Sequence, residues 1–447
     1  MKNSNRKFAA NYWIRSGTVS ILQQVCNFIV GFAGFFFLVR LTSKDDYGTW
    51  ILFLSTISLS EITRNELIQN ALIKYVSVSE DNDRGKIIAT SFAINMVVTT
   101  ILALILAGIA PLLGHIWDAP AISNMLWLYL ISFFIVGIQM QCNAIEQAYL
   151  NFKGLFLSSF LKQFLFLVAL IVAYFLNYAL TLIQLVELNI ISAAVGTIVS
   201  WHYARRHLTF KWKFDLEWAK KLLNYGKYTM ATSLHATFSN VMDQMMLGAL
   251  LAPAAVSSFN IANRISNMAH IPTNAMATIV FPQGAIRFES DGRDAMKLLY
   301  EKSVGSILAI LTPVVLILYL FAEPIIHIIV GEQYLDAIPL LRVTLLYCLL
   351  IPYSRQTGTI LESTGNTKLN FLLVLFTGAF NIVLNIFLIQ KFGVIGAVYG
   401  ALTARISFFL VARHYLKSLF GINLWAPWKY AVQFYPDIYR KLFHKVS

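Results

Sequence analysis

Charge is scarce in this 447-residue sequence: Asp, Glu, Lys and Arg make up 13% of it, against about a quarter in soluble domains, while 57% is hydrophobic. A water-soluble fold is excluded. Cysteine is scarcer still. Cys26, Cys142 and Cys348 all lie in apolar runs, where a thiol packs as a small hydrophobe, so no disulfide and no metal site is expected. The sequence also lacks a nucleophile motif, a phosphate-cradling glycine loop and a cluster of metal ligands. It therefore reads as a non-enzyme without a cofactor, with proton or sodium coupling left open. Proline is missing from the first six apolar spans, whereas seven of the eleven prolines fall from Pro253 to Pro352. Kinks are expected in the eighth to tenth helices rather than in the first half.

Long apolar runs are abundant. Each is long enough to cross about 30 Å of hydrocarbon as a helix. The spans read as Gly17 to Val39, Tyr47 to Val76, Ile87 to Ala110, Ala121 to Tyr149, Leu155 to Leu176 and Tyr178 to Ala204. After a basic break they resume as Tyr228 to Leu251, Pro253 to Gln283, Ser303 to Ala322, Ile338 to Glu362, Leu369 to Gln390 and Gly393 to Val411. The second, eighth and tenth are candidates for shortening or breakage. With the N-terminus inside, the cytoplasmic segments hold 25 of the 35 Lys and Arg residues and the outer loops hold three, Arg40, Lys44 and Lys391. That asymmetry sets both termini in the cytoplasm, and it assigns the net charge of +13 to membrane lipids rather than to nucleic acid.

The fold expected is an all-α polytopic membrane protein of about twelve transmembrane helices in two six-helix halves, built to move something across a bilayer. The halves are residues 1–204 and 228–418, because NYWIRSGTVSILQQ is echoed by NYGKYTMATSLHAT and LTSKDDYG by LAPAAVSSFN. Between them lies a cytoplasmic linker, 205–227. There Leu216, Ala219, Leu222 and Leu223 recur at helical spacing behind Asp215 as N-cap and suggest a short helix on the inner membrane surface. The remainder, 419–447, is an aromatic and basic tail that reads as an interfacial anchor.

Polar residues inside the spans mark the working surface, since a charge at the bilayer centre costs at least about 2.5 kcal/mol. In the eighth span Ser257, Asn260, Asn263, Arg264, Asn267, His270 and Asn274 share one side of the helix. Span seven does the same with Ser233, Thr237, Asn240, Asp243 and Gln244, and span two with Glu61, Arg64, Asn65 and Gln69, beside Glu66 and Asn70. At 1.5 Å per residue Arg264 lies near the midplane, about eleven residues from its outer end, with Arg64 and Arg355 nearer the cytoplasm. An arginine-bearing pocket suits phosphate and pyrophosphate oxygens. The candidate substrate-binding residues are thus Arg64, Arg264, Arg355, Arg15, Asn260 and Asn267. Asp243, Glu61 and Glu66 read either as counter-ions for the arginines or as ion-coupling sites, and the sequence leaves both open. Arg342 and Arg15, near span ends, also fit a snorkelling role. Glu146 and Lys162 are expected to pair across the turn between spans four and five.

Taken in order along the chain, LTSKDDYGTW, NALIKYVS, NVMDQMMLGALL, FNIANRISNM and VGEQYLDAIPLLRVTLL resemble the Wzx-like oligosaccharide flippases of the multidrug/oligosaccharidyl-lipid/polysaccharide (MOP) exporter superfamily. The resemblance covers all twelve spans. It implies alternating access and an undecaprenyl-diphosphate-linked oligosaccharide as substrate. That substrate would move from the inner to the outer leaflet of a bacterial inner membrane for O-antigen or other surface polysaccharide, alongside polysaccharide-assembly proteins. In related lipid II flippases, cavity arginines of spans one, two and eight resemble Arg15, Arg64 and Arg264 in placement. One rival is a multidrug or cation antiporter of the same superfamily, whose cavity would favour acidic and aromatic groups. The other is a membrane-embedded polymerase or glycosyltransferase, which would need a larger outer loop.

Overall fold

A computed structural model describes residues 26–208 and 214–443, all helix, turn or loop, with no strand among the described residues. The helices are α1 (Cys26–Leu41), α2 (Lys44–Val78), α3 (Asp81–Ile116), α4 (Ala121–Ala148), α5 (Phe152–Phe175), α6 (Leu182–Ala204) and α7 (Leu216–Leu250). They continue as α8 (Pro253–Ser266), α9 (His270–Leu320), α10 (Ala322–Ile329), α11 (Ala337–Cys348), α12 (Ile351–Ser363), α13 (Thr367–Phe392), α14 (Val394–Phe420) and α15 (Ala426–Phe443). Eight segments among the described residues are long and apolar enough to cross a membrane. One of them, Pro253–Leu320, holds two of the expected spans, because α9 turns sharply at Gly292, whose φ of 68° and ψ of −143° are open to glycine. The other expected spans are α1, described only from Cys26, and α2 and α7. Both of the last two are 35 residues long and charged enough to mask their apolar character. The polytopic all-α architecture is therefore the one expected.

Two compact units divide the chain: Met1–Met245 with Ala252–Ala254, and Met246–Leu251 with Ala255–Ser447. In the first, Ile68, Leu72 and Val76 of α2 pack with Ile87 and Ile88 of α3, Cys142 and Ile145 of α4, and Ala219 and Leu222 of α7. The expected surface helix over the linker 205–227 is thus not a separate element. Asp215 does cap it, its carboxylate accepting from the Glu217 and Trp218 amides at 2.9 and 3.2 Å, but the helix runs on unbroken into span seven. Gly226 permits this. A Cβ there would collide with the Leu67 carbonyl of α2, so glycine lets the two backbones touch, and the Thr229 hydroxyl donates to the Glu66 carbonyl at 2.7 Å beside it.

Proline behaves differently from the expectation in the first half. α3 extends to Ile116 and carries Pro111 inside it. The ring removes the bond to the Ala107 carbonyl, and the Trp127 indole of α4 donates to that carbonyl instead, at 3.1 Å. In the second unit Pro313 likewise frees the Ala309 carbonyl, which accepts from the Tyr435 hydroxyl of α15 at 2.5 Å. The aromatic tail is consequently more than an interfacial anchor. Pro427, Tyr430 and Ala431 crowd the bare face of Gly305, and the Glu301 carboxylate accepts from the Asn423 amide at 3.0 Å. Spans eight and ten are broken, as expected, while α2, also a candidate for breakage, is continuous.

Replacing Tyr435 by Phe is expected to remove only the hydroxyl that serves Ala309, costing about 1–2 kcal/mol of stability. The check is the thermal unfolding midpoint of purified full-length protein. Trp127→Phe should do the same at Ala107, and combining it with Tyr435→Phe should add the two losses.

Candidate functional site

Within the second unit the two broken spans meet. α8 ends at Ser266, a 3₁₀ turn covers Asn267–Ala269, and α9 starts at His270 two residues before Pro272. α11 ends at Cys348 and α12 begins at Ile351, with Pro352 in its first turn, where its missing N–H costs nothing. The breaks are stitched together. The Ser266 hydroxyl donates to Thr344 Oγ1 at 2.7 Å, the Cys348 thiol lies 3.5 Å from the Ser266 carbonyl, and the Tyr347 hydroxyl donates to Asn263 Oδ1 at 2.9 Å. The polar side of span eight therefore divides. Asn263 and Ser266 are committed to α11, while Asn260, Arg264 and Asn267, at i, i+4 and i+7, form an accessible row in which Arg264 and Asn267 are exposed and Asn260 is half-buried.

Arg405 of α14 completes this site. Its guanidinium carbon lies 4.8 Å from the centre of the Tyr347 ring, and both Arg405 and Arg355 of α12 act electrostatically on His270. The structure thus brings Arg355 together with two groups that the candidate set left out, His270 and Arg405. The signal for Arg405 was its position as the single charge inside the apolar run Gly393–Val411. No acidic residue occurs from Pro253 to Phe288, from Ile338 to Leu361 or from Gly393 to Val411, so the Arg and His side chains of those stretches have no acidic neighbour within them.

In the first unit the polar residues of span two are differently employed. Arg64 is 0% exposed: Nη1 donates to the Phe133 carbonyl of α4 at 2.6 Å, Nε to Asn65 at 3.2 Å, and the guanidinium sits 4.4 Å over the Phe133 ring. Gly137 makes room for it, since a Cβ there would stand 3.1 Å from Nη1. Glu61 accepts from the Tyr129 hydroxyl at 2.5 Å, and both Glu61 and Arg64 act electrostatically on Lys162 of α5. Glu66 accepts from Asn70 at 2.6 Å within its own helix. Asp243 is half-buried on α7, next to Gln244, whose Oε1 accepts from Ser55 at 3.0 Å. Arg15 lies outside the described residues, as does the side chain of Asn240. The expected Glu146–Lys162 pair does not form. Glu146 instead pairs with Arg206 at 3.4 Å, beside His207 Nε2 at 3.3 Å, because the turn after α6 brings those groups over it, while Lys162 interacts electrostatically with Glu61. Arg342 lies 5.9 Å over the Tyr319 ring.

The family model described as "Polysaccharide biosynthesis protein" matches residues 37–339. The chain belongs to that family. Three relatives extend the picture. An uncharacterised membrane protein of Methanocaldococcus jannaschii is 23% identical over 394 residues, 82% of this chain and 76% of that protein. The probable low-salt glycan biosynthesis flippase Agl15 of Haloferax volcanii is 25% identical over 240 residues, 53% of this chain and 50% of that protein. The teichuronic acid biosynthesis protein TuaB of Bacillus subtilis is 21% identical over 304 residues, 66% of this chain and 60% of that protein.

Among solved structures, the lipid II flippase MurJ in its inward closed conformation superposes with a TM-score of 0.73 at 14% identity, over 92% of this chain and 90% of that one. An inward-facing multidrug resistance MATE transporter of the MOP superfamily gives 0.74 at 15% identity, over 87% and 94%. At these identities the likeness is one of fold. The polysaccharide biosynthesis family member described here therefore carries the MOP fold, and its first-unit and second-unit arginines are set in opposite ways, one enclosed and the others accessible.

That difference can be measured on purified protein. Arg64→Gln removes a charged donor to a buried carbonyl and should lower unfolding stability by about 2–3 kcal/mol, with little recovery in Arg64→Lys, which lacks the planar fork. Arg355→Gln, at an exposed position, should stay within about 0.5 kcal/mol of the parent.

Proposed function

We propose that the protein is a flippase for a polyprenyl-diphosphate-linked oligosaccharide, undecaprenyl-linked in a bacterial inner membrane, and that it delivers the glycan from the inner to the outer leaflet for surface polysaccharide such as O-antigen. The observation that carries this reading is the sign of charge in the second unit. Four basic side chains, Arg264, His270, Arg355 and Arg405, stand on the broken spans and on α14, and no acidic residue occurs from Pro253 to Phe288, from Ile338 to Leu361 or from Gly393 to Val411. An anionic headgroup offsets that charge, and Asn260 and Asn267, on the same face as Arg264, offer carboxamides to sugar hydroxyls. A cation antiporter would meet the opposite field.

Family membership supports a place in polysaccharide biosynthesis, and the name of the Haloferax volcanii relative supports a flippase. Broken helices at a site between packed spans fit alternating access. The basic excess in alternate loops supports cytoplasmic termini. This reading keeps Arg15 and Arg64 as candidate substrate-binding residues, Arg64 also fixing the α2–α4 contact. Glu61, Glu66 and Asp243 enter it as ion-coupling groups or counter-ions. Assembly proteins that extend or export the glycan are its expected partners.

The test is deletion in the native host. Lipid-linked oligosaccharide should accumulate on the cytoplasmic face, surface glycan should fall, and a plasmid copy should restore both. The combined Arg264→Gln and Arg355→Gln variant, present in the membrane at normal level, should restore less than about a tenth of the transport, the loss of two charged contacts. Unchanged surface glycan with no cytoplasmic accumulation in the deletion strain would overturn the proposal.

A further inference from the structure

We propose that the end of the first unit where α2 finishes and α7 begins, cytoplasmic in the orientation given above, carries a binding site for the headgroup of an anionic phospholipid. Lys74 and Tyr75 of α2 and Trp218, Lys221 and Tyr225 of α7 build it. Its ligand is a lipid of the surrounding leaflet rather than the transported molecule, so the site stands apart from the flippase reading.

Helix length sets the level of these residues. α2 and α7 have 35 residues each, about 52 Å at 1.5 Å per residue, against about 30 Å of hydrocarbon. About 20 Å of each helix therefore lies beyond the hydrocarbon. Lys74 and Tyr75 fall at the end of the second apolar span, and Trp218 to Tyr225 come just before the seventh, where headgroups sit and aromatic side chains gather. The two helices are fixed to each other at this end. The Gly226 backbone touches Leu67 and the Thr229 hydroxyl donates to the Glu66 carbonyl, which brings the side chains beyond them together in one register.

Tyr75 is the centre of a wall of three rings. Its ring centre stands 5.6 Å from that of Trp218 and 6.2 Å from that of Tyr225, edge to face in both cases. Two ammonium groups lie on this wall. Lys74 Nζ crosses from α2 to sit 4.3 Å from the centre of the Tyr225 ring, and Lys221 Nζ sits 4.5 Å over Trp218. Glu217 stands one turn before Lys221, the spacing of a helical ion pair, yet neither Lys221 nor Lys74 pairs with a carboxylate among the described residues. The three rings are half-buried and both lysines are exposed. Each stem is thus laid along an aromatic surface while its ammonium keeps N–H donors for an outside acceptor.

An occupant has to be anionic, has to lie at headgroup depth and has to bring apolar surface with it. Val78 and Leu216, close in sequence to these rings, are 76% and 62% exposed and call for acyl chains rather than water. An anionic phospholipid meets all three conditions, and a basic site between helices on this side of a membrane is suited to its phosphate. A soluble acidic peptide meets only the first.

The experiment titrates purified full-length protein in mild detergent with phosphatidylglycerol and with phosphatidylcholine of the same chains, counting bound lipids by native mass spectrometry. Phosphatidylglycerol should bind at least about tenfold tighter, the share expected of two lysines facing one anion. Combining Lys74→Gln with Lys221→Gln should abolish that preference. Combining Lys220→Gln with Lys227→Gln removes the same charge from α7 outside the three-ring wall and should preserve it. Trp218→Leu, with both ammonium groups intact, should lose about threefold. Glycerol 3-phosphate, the headgroup without chains, should fail to displace phosphatidylglycerol at equal concentration.

Equal affinity for the two lipids would overturn the proposal. So would equal losses in the two lysine pairs, which would reduce the effect to general positive charge. Full phosphatidylglycerol preference in the Lys74→Gln, Lys221→Gln protein would also overturn it and leave the patch to a soluble acidic partner, and displacement by glycerol 3-phosphate would assign it to free phosphates. Should the double variant fail to fold, Lys74→Gln and Lys221→Gln taken singly, each expected to lose about threefold to fivefold, decide the matter.

Discussion

Every backbone N–H and C=O in hydrocarbon must find a partner inside the protein, and most of what is distinctive in this structure follows from that requirement. Helices satisfy it without help until a proline intervenes. Pro111 and Pro313 each release a carbonyl, and a specific side chain from a neighbouring helix answers: the Trp127 indole for Ala107, the Tyr435 hydroxyl for Ala309. Where the helix breaks outright, as at Asn267–Ala269 and after Cys348, the surrounding groups are polar and mutually bonded. Such an arrangement is stable only against other protein or a water-lined cavity, which is why the breaks and the accessible basic groups coincide.

The two units spend their intramembrane charges differently. In the first, charges of both signs are gathered and engaged: Arg64 against Phe133, Glu61 bonded to Tyr129, with Lys162 in the field of both. Removing one member of such a set leaves the others buried without compensation, which is how a group of this kind secures one packing of three helices. In the second unit no acidic residue occurs from Pro253 to Phe288, from Ile338 to Leu361 or from Gly393 to Val411, so the arginines of those stretches stand in a basic sequence field. A ligand that supplies negative charge contributes both binding energy and relief of repulsion, so occupied and empty forms differ in the internal energy of the unit itself.

Much of this was legible in the residues. Hydropathy located the spans, and clustered prolines located the breaks in spans eight and ten. The polar stripe of span eight was visible, but not that Asn263 and Ser266 would bond to α11 while Arg264 and Asn267 stand exposed. That division depends on where α11 lies, a contact 78 residues or more along the chain. Arg64 misled for the same reason: a charge in a polar stripe looks the same from sequence whether it faces a cavity or a carbonyl such as that of Phe133. Pro111 was placed just beyond a span because its rescue by Trp127 is a tertiary contact. The surface helix of the linker failed on Gly226, a residue that usually signals an ending and here permits α7 to lie against α2 and continue.

The bond from Tyr435 to Ala309 joins positions 126 residues apart, with the donor on α15, the last helix described. Translation and membrane insertion proceed from the N-terminal side. The second part of α9 is therefore synthesised long before the hydroxyl that completes it exists, and α11 to α14 must be inserted in the interval with the Ala309 carbonyl still waiting. Completion of the second unit is thereby tied to the synthesis of α15. A chain interrupted anywhere within α13 or α14 has these spans but retains an open hydrogen-bonding position at the Ala309 carbonyl.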